Sequence, residues 1–144
     1  MLPFFVYGTL KRGEPNYERL LRDRTLAEED AVLEPAAMYT AGPYPFLVTA
    51  ADLLPTPQAQ VSGQLMTIHP ELYDQTLQQL DELEEYDPAD PRSMYLRRDI
   101  SVTCAGQPRR AWIYVAGTQI EASIRHGRLE LIRDGNWRAP TTRP

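Results

Sequence analysis

Pro70-Glu71-Leu72-Tyr73-Asp74-Gln75-Thr76-Leu77-Gln78-Gln79-Leu80-Asp81-Glu82-Leu83-Glu84 carries the clearest helical period in the chain. Pro70 suits a first helical position, where a missing N–H costs nothing. Tyr73, Leu77 and Leu80 follow an i, i+4, i+7 spacing, and Leu72 and Leu83 widen the stripe. The pattern predicts a helix over 70–84. On either side the period changes to two. In 60–69, Val61, Gly63, Leu65 and Thr67 point one way and Ser62, Gln64, Met66 and Ile68 the other. In 94–104, Met94, Leu96, Ile100, Val102 and Cys104 share a face that only Arg98 interrupts. Ala105-Gly106-Gln107-Pro108 reads as a turn into a second strand over 109–116, antiparallel to the first, and Gly117 stops it. One strong helix between strands predicts an α+β domain with a curled or closed sheet.

Further out the pattern is shorter. Pro3–Tyr7 is apolar, aromatic and β-branched, and Gly8 ends it, so it reads as a buried strand. Residues 11–16 hold Gly13 and Pro15 and read as loop; 17–24, with Leu20 and Leu21 among charges, read as two helical turns. Residues 25–42 do not declare one state, with strand-like pieces around Leu26 and Met38. Residues 42–54 read as an irregular loop followed by a strand at Phe46-Leu47-Val48, and 87–91 as a loop. A short helix around Glu121–Arg125 precedes a polar segment ending at Trp137. With no internal repeat and no linker, the expectation is one domain over 1–140 and a disordered tail over 141–144.

The totals exclude several functions. A net charge of −5 argues against a nucleic-acid partner, which needs a concentrated basic face. No run approaches the roughly 20 apolar residues of a membrane span. The apolar N-terminus lacks a basic n-region, so it reads as a first strand and not as a signal peptide. Cys104 is the only cysteine, which excludes an intrachain disulfide and favours a cytoplasmic location. There is no P-loop, dinucleotide fingerprint or Cys/His metal set, and neither His69 nor His126 stands near Cys104 or an obvious nucleophilic serine in sequence.

Carboxylate chemistry remains. Asp81-Glu82-Leu83-Glu84-Glu85 has the look of a solvated helix end, since charge runs usually face water. Glu84 differs from its neighbours: it lies four residues after Leu80 and so extends the apolar stripe, whereas Asp81, Glu82 and Glu85 lie off that line. Partial burial and the negative end of the helix dipole both raise a carboxyl pKa, which suits a proton shuttle near neutral pH. A rim glutamate hydrogen-bonded to a tyrosine fits the same spacing. Tyr7-Gly8-Thr9-Leu10 is the second candidate, because a strand that breaks at Gly can gather its next N–H groups into an anion or oxyanion nest, with Lys11 and Arg12 adding positive potential. Tyr114 lies opposite Ile113 on its strand and has packing as its default role, as do Tyr39, Tyr44 and Tyr95.

These residues combine into a pattern. Phe5-Val6-Tyr7-Gly8-Thr9-Leu10-Lys11-Arg12-Gly13-Glu14-Pro15-Asn16 resembles the N-terminal signature of the γ-glutamylcyclotransferase-like (AIG2-like) family. Leu80-Asp81-Glu82-Leu83-Glu84 resembles its central acidic motif, with Met94-Tyr95 following after a short loop. Trp112-Ile113-Tyr114-Val115 and Asp134-Gly135-Asn136-Trp137 are similar to its later elements. The resemblance implies a small mixed β-barrel with flanking helices. It implies an enzyme that needs no metal or cofactor and releases 5-oxoproline from a small γ-glutamyl amine or peptide, with Glu84 catalytic and Tyr7, Gly8, Thr9, Leu10 and Tyr114 at the substrate. The alternative on the same fold is a non-catalytic module that binds a small metabolite. Glu85 stands where many members have glycine, which leaves the amine portion of the substrate open, as is the oligomeric state.

Overall fold

The alternating segments close on themselves. In the computed structural model, which describes residues 1–138, β1 (Phe4–Val6), β5 (Val61–Ile68), β2 (Thr25–Leu33), β6 (Tyr95–Cys104) and β7 (Gln107–Ala116) form a closed barrel in that order. Every pairing is antiparallel except β1 with β7, which run parallel and complete the ring. The family's mixed barrel is therefore the fold observed. β6 and β7 meet at a tight turn, where Ala105 and Gly106 both take positive φ, the demand of a two-residue hairpin loop. The predicted tail at 141–144 and the predicted domain limit at 140 lie outside the described residues.

Two apolar layers follow from the alternation. Phe5, Leu65, Val61, Leu33, Val102, Cys104, Ala111 and Ile113 fill the barrel. Phe4, Val6, Met66, Ile68, Tyr95, Tyr114 and Ala116 face outward, beneath helix cover. A strand buried on both faces carries apolar residues at odd and even positions alike, which is why β1 reads as a continuous apolar run. Gly63 sits where a side chain cannot: a Cβ there would lie 2.4 Å from the Val6 carbonyl oxygen and 2.8 Å from the Phe5 ring.

The cover is α2 (Tyr73–Leu83), preceded by a 3-10 turn over Pro70–Leu72. Its buried line runs through Tyr73, Thr76 and Leu80, one residue away from the Leu77 expected at its centre. Leu77 lies half-buried at the margin, and Thr76 is fully enclosed with no partner for its Oγ1 among the described residues. α2 ends in a full Schellman motif. Glu85 N–H bonds to the Glu82 carbonyl at 3.1 Å and Tyr86 N–H to the Asp81 carbonyl at 2.9 Å, with Glu85 in the left-handed region at φ 51°. The glycine expected at this position would take that φ without strain.

Three segments differ from the sequence expectation. The undecided stretch 25–42 holds the nine-residue β2 and the short β3 (Ala37–Thr40); a bulge between Thr25 and Ala27 throws Leu26 to the surface. The strand expected at Phe46 starts one residue earlier, as β4 (Pro45–Val48). The polar C-terminal segment is partly ordered into β8 (Glu130–Leu131), which pairs with β3 in a second sheet of order β4-β3-β8, and Trp137 is buried beside the barrel core. The two short helices are α1 (Pro15–Leu20), which begins at Pro15 and not at Tyr17, and α3 (Thr118–Arg125).

Two substitutions test this architecture. Gly63→Ala drives a methyl into a backbone oxygen that cannot move, and is expected to destabilise by about 2–3 kcal/mol in urea unfolding. Glu85→Gly relieves the left-handed backbone strain and is expected to stabilise by about 0.5–1 kcal/mol; unchanged or lowered stability would contradict the cap described.

Candidate active site

Where β1 leaves the barrel, the chain turns at once. Lys11 N–H closes a turn onto the Gly8 carbonyl at 3.1 Å, and Asn16 Nδ2 donates to Thr9 Oγ1 at 2.9 Å, tying the turn to the start of α1. Among the described residues nothing accepts from the N–H groups of Thr9 and Leu10. Gly8 is required by close approach: a Cβ would lie 2.9 Å from Pro45 Cγ. Pro45 closes the other wall of a cavity of about 280 Å³, the scale of a small metabolite site.

The end of α2 supplies the third wall. Glu84, the C-cap residue that follows Leu83, lines this cavity together with Tyr7, Gly8, Thr9, Leu10 and Tyr114. Residues more than seventy apart in sequence thus line one space. The phenols of Tyr7, Tyr95 and Tyr114 share this cavity with Glu84, and none donates to its carboxyl. Tyr7 Oη donates to the Tyr114 carbonyl at 2.5 Å, Tyr95 Oη to the Pro45 carbonyl at 2.8 Å, and Tyr114 Oη to Asp81 Oδ1 at 2.5 Å. The rim glutamate bonded to a tyrosine, open from sequence, is not what forms. With no donor and little water, burial pushes Glu84 from 4.5 up to about 7. Burial first and the Glu84 charge second raise Tyr7; burial likewise leads the upward shifts of Tyr95 and Tyr114, with Asp81 next for Tyr114.

Several expectations change at this site. Lys11 and Arg12 do not line the cavity. Lys11 Nζ donates to Asn136 Oδ1 at 2.9 Å and to the Trp137 carbonyl at 2.7 Å, fastening the C-terminal segment, while Arg12 pairs with Glu28 and Asp30. Positive potential beside the turn is therefore supplied by main-chain N–H groups and not by these cations. Asp81, expected in solvent, is half-buried and hydrogen-bonded to both Tyr114 and Arg97. Tyr95 and Tyr44, given only packing roles, line the cavity, as do Asn16, Met94 and Leu83. The alternation of β6 showed which of its faces is inward; it carried no signal that its outward Tyr95 meets a cavity. Among the described residues no group of three or more His, Cys, Asp or Glu is placed to hold a metal ion.

Comparison with known proteins shows what the chain and its fold resemble. The gamma-L-glutamyl-butirosin B gamma-glutamyl cyclotransferase of Niallia circulans is 33% identical over 112 residues, 77% of this chain and 64% of that protein. The chain thus spans less than two thirds of that relative's length. Gamma-glutamylaminecyclotransferase A of Danio rerio is 28% identical over 117 residues, 79% of this chain and 68% of that protein. The crystal structure of an AIG2-like protein from Mus musculus superposes with a TM-score of 0.60 at 26% identity, covering 82% of this chain and 78% of that one. The sequence model of the family described as gamma-glutamyl cyclotransferase, AIG2-like, matches residues 4–139, and with the closed barrel and its cavity in place the chain belongs to that family.

Proposed function

We propose that this protein is a γ-glutamyl cyclotransferase that releases 5-oxoproline from a γ-glutamyl amine, with Glu84 as its proton carrier and no cofactor in the reaction. The observation that carries this reading is the half-buried Glu84 carboxyl, without a hydrogen-bond donor among the described residues, lining the same cavity as Gly8, Thr9 and Leu10.

The chemistry needs little else. The α-amine of the γ-glutamyl group attacks its own γ-carbonyl carbon, a C–N bond closes the five-membered ring, and the old C–N bond to the leaving amine breaks. Because the attack is intramolecular, holding the substrate folded supplies much of the rate, with effective molarities on the order of 10⁵ M attainable. The ammonium proton must first leave and the departing amine must gain one. A carboxyl that titrates at about 7 is half-protonated near neutrality and can do both. The Thr9 and Leu10 N–H groups are free to take the developing oxyanion or the substrate carboxylate. Tyr7 and Tyr114, fixed through their hydroxyls, shape the wall against which the glutamyl chain folds.

The direct test is a panel of γ-glutamyl amides, peptides and polyamine conjugates assayed for 5-oxoproline. Release from at least one is expected; tight binding with no release from any would favour the binding module instead.

Two predictions concern Glu84 itself. Glutamine keeps its shape but moves no proton, so Glu84→Gln should lower kcat by about 10²–10⁴ while product affinity stays within a few-fold. Glu82→Gln, at an exposed position on the same helix end, should retain most activity; a wild-type rate in Glu84→Gln would sink the mechanism. The second follows from linkage. The unfolded chain releases this proton near 4.5 and the folded one at about 7, so the stability tied to the proton is complete below 4.5 and is lost as pH rises through 7. Glu84→Gln should therefore be the more stable protein at pH 8, by on the order of 3 kcal/mol at 1.36 kcal/mol per unit, with the gap closing at pH 4.5. Urea unfolding at the two pH values measures it.

A further inference from the structure

The absence of a donor on Glu84 among the described residues requires explanation, because tyrosines that share its cavity are good donors. Tyr7 just past β1, Tyr95 of β6, Tyr114 of β7 and Tyr44 share its cavity. From its own helix end come Asp81 and Glu85, and Arg97 of β6 stands behind Asp81. A phenol that donates to a carboxylate stabilises the charged form and so holds the carboxyl ionised. Tyr7 and Tyr95 are engaged by main-chain carbonyls, which the fold supplies whatever the sequence. Tyr114 is engaged by a side chain, Asp81, one helical turn before Glu84.

Asp81 is itself clamped. Arg97 Nε donates to Asp81 Oδ1 at 3.0 Å and Nη2 to Oδ2 at 3.3 Å, a bidentate pair with side chains only 18% and 22% exposed. The guanidinium lies 4.4 Å over the Trp112 ring and 5.5 Å from that of Tyr86, which fixes its plane. Arg97 and Tyr114 are cross-strand partners on β6 and β7, so the register delivers both to the same carboxylate. Paired in this way, Asp81 also adds little net charge beside Glu84.

We propose that Asp81 is a positioning residue: clamped by Arg97, it takes the Tyr114 hydroxyl and so denies Glu84 a donor, leaving the Glu84 carboxyl free to exchange its proton with substrate. The inference deepens the reading of Glu84 as proton carrier and rests on it. It also accounts for an acidic helix end in which two carboxylates, three residues apart, do different work in opposite electrostatic settings.

The test compares Asp81→Asn with Asp81→Leu in the full chain. Both remove the Asp81 charge and leave the Arg97 charge uncompensated, but only Asn keeps an acceptor for Tyr114. The readout is a carboxyl-resolved NMR titration of Glu84 without substrate. Glu84 is expected to titrate lower in Asp81→Leu than in Asp81→Asn by about one pH unit, and the acid limb of kcat/KM should move with it. Adding Tyr114→Phe to Asp81→Leu removes the released donor and should return Glu84 to its Asp81→Asn value. Equal titration in the two single variants, or no return in the double variant, overturns the proposal. Should Asp81→Leu fail to fold, Tyr114→Phe alone decides: Glu84 is expected to stay put, and a rise of about one unit would mean that Tyr114 already supports the carboxylate. Because the titration needs no turnover, it stands even if no γ-glutamyl compound is cleaved. Loss of activity in Glu84→Gln with unresponsive titrations removes this inference alone.

Discussion

The three-residue strand β1 is the constraint on which the site depends. It bonds to β5 on one side and to β7 on the other, with the Trp112 N–H reaching the Pro3 carbonyl at 2.9 Å, and without it the barrel is an open sheet with two unpaired edges. Closure also fixes an exit. A strand held by both neighbours leaves the ring at one place in one direction, so the turn after Tyr7 meets the end of α2 and the Pro45 wall every time. Gly63 and Gly8 mark the two close approaches this geometry demands, one to the β1 backbone and one to Pro45. The cavity is thus a by-product of how the barrel shuts.

Within that frame the electrostatics are set by what each polar group is already doing. A carboxyl surrounded by phenols would ordinarily be hydrogen-bonded and strongly acidic. Here the hydroxyls of Tyr7, Tyr95 and Tyr114 are each taken by a partner pointing elsewhere, and the cations expected near the turn hold down Asn136, Trp137, Glu28 and Asp30. Glu84 stays near neutral pH in its titration because its neighbours are satisfied without it. The fit between Lys11 and the Asn136–Trp137 segment adds a second consequence: the chain's C-terminal part is joined to the turn that follows β1, so the N-terminal strand is anchored from both sequence directions.

Much of this was legible in the sequence, and the limits have physical causes. The alternation of 60–69 and 94–104 and the helical period of 70–84 depend on local sterics and on one buried face, so they emerge without knowledge of partners. The resemblance supplied the barrel and named the cavity residues that spacing alone left weak. What did not show was long-range. β8 is two residues long and exists only because β3 offers it an edge. Thr76, not Leu77, stands between Tyr73 and Leu80 on the buried line, and a polar residue at that phase gives no apolar signal. Asp81 looked solvated because its partners, Arg97 and Tyr114, come from strands that sequence reading can pair but cannot lay against a particular helix face.

Local rules are broken in several places: Asp23 and Ala105 take positive φ and Trp137 Nε1 is buried without a partner among the described residues, but three breaks cluster at one helix. Glu84 puts an acid at the negative end of a helix, without a partner, in a poor solvent. The next residue, Glu85, takes a left-handed backbone without being glycine. Thr76, two turns earlier on the same face, is buried with its hydroxyl unmatched. Each is mildly unfavourable alone, and all three lie on the single helix whose end forms the cavity wall. Other features follow propensity: proline at the first turn of α1, and apolar residues on both faces of strands that are covered on both sides. A helix selected only for stability would carry leucine at 76, glycine at 85 and a lysine or arginine near 84. That α2 carries none of these is consistent with a helix whose last turn is shaped by what the cavity must do, and whose hold on the barrel through Tyr73 and Leu80 is firm enough to tolerate it.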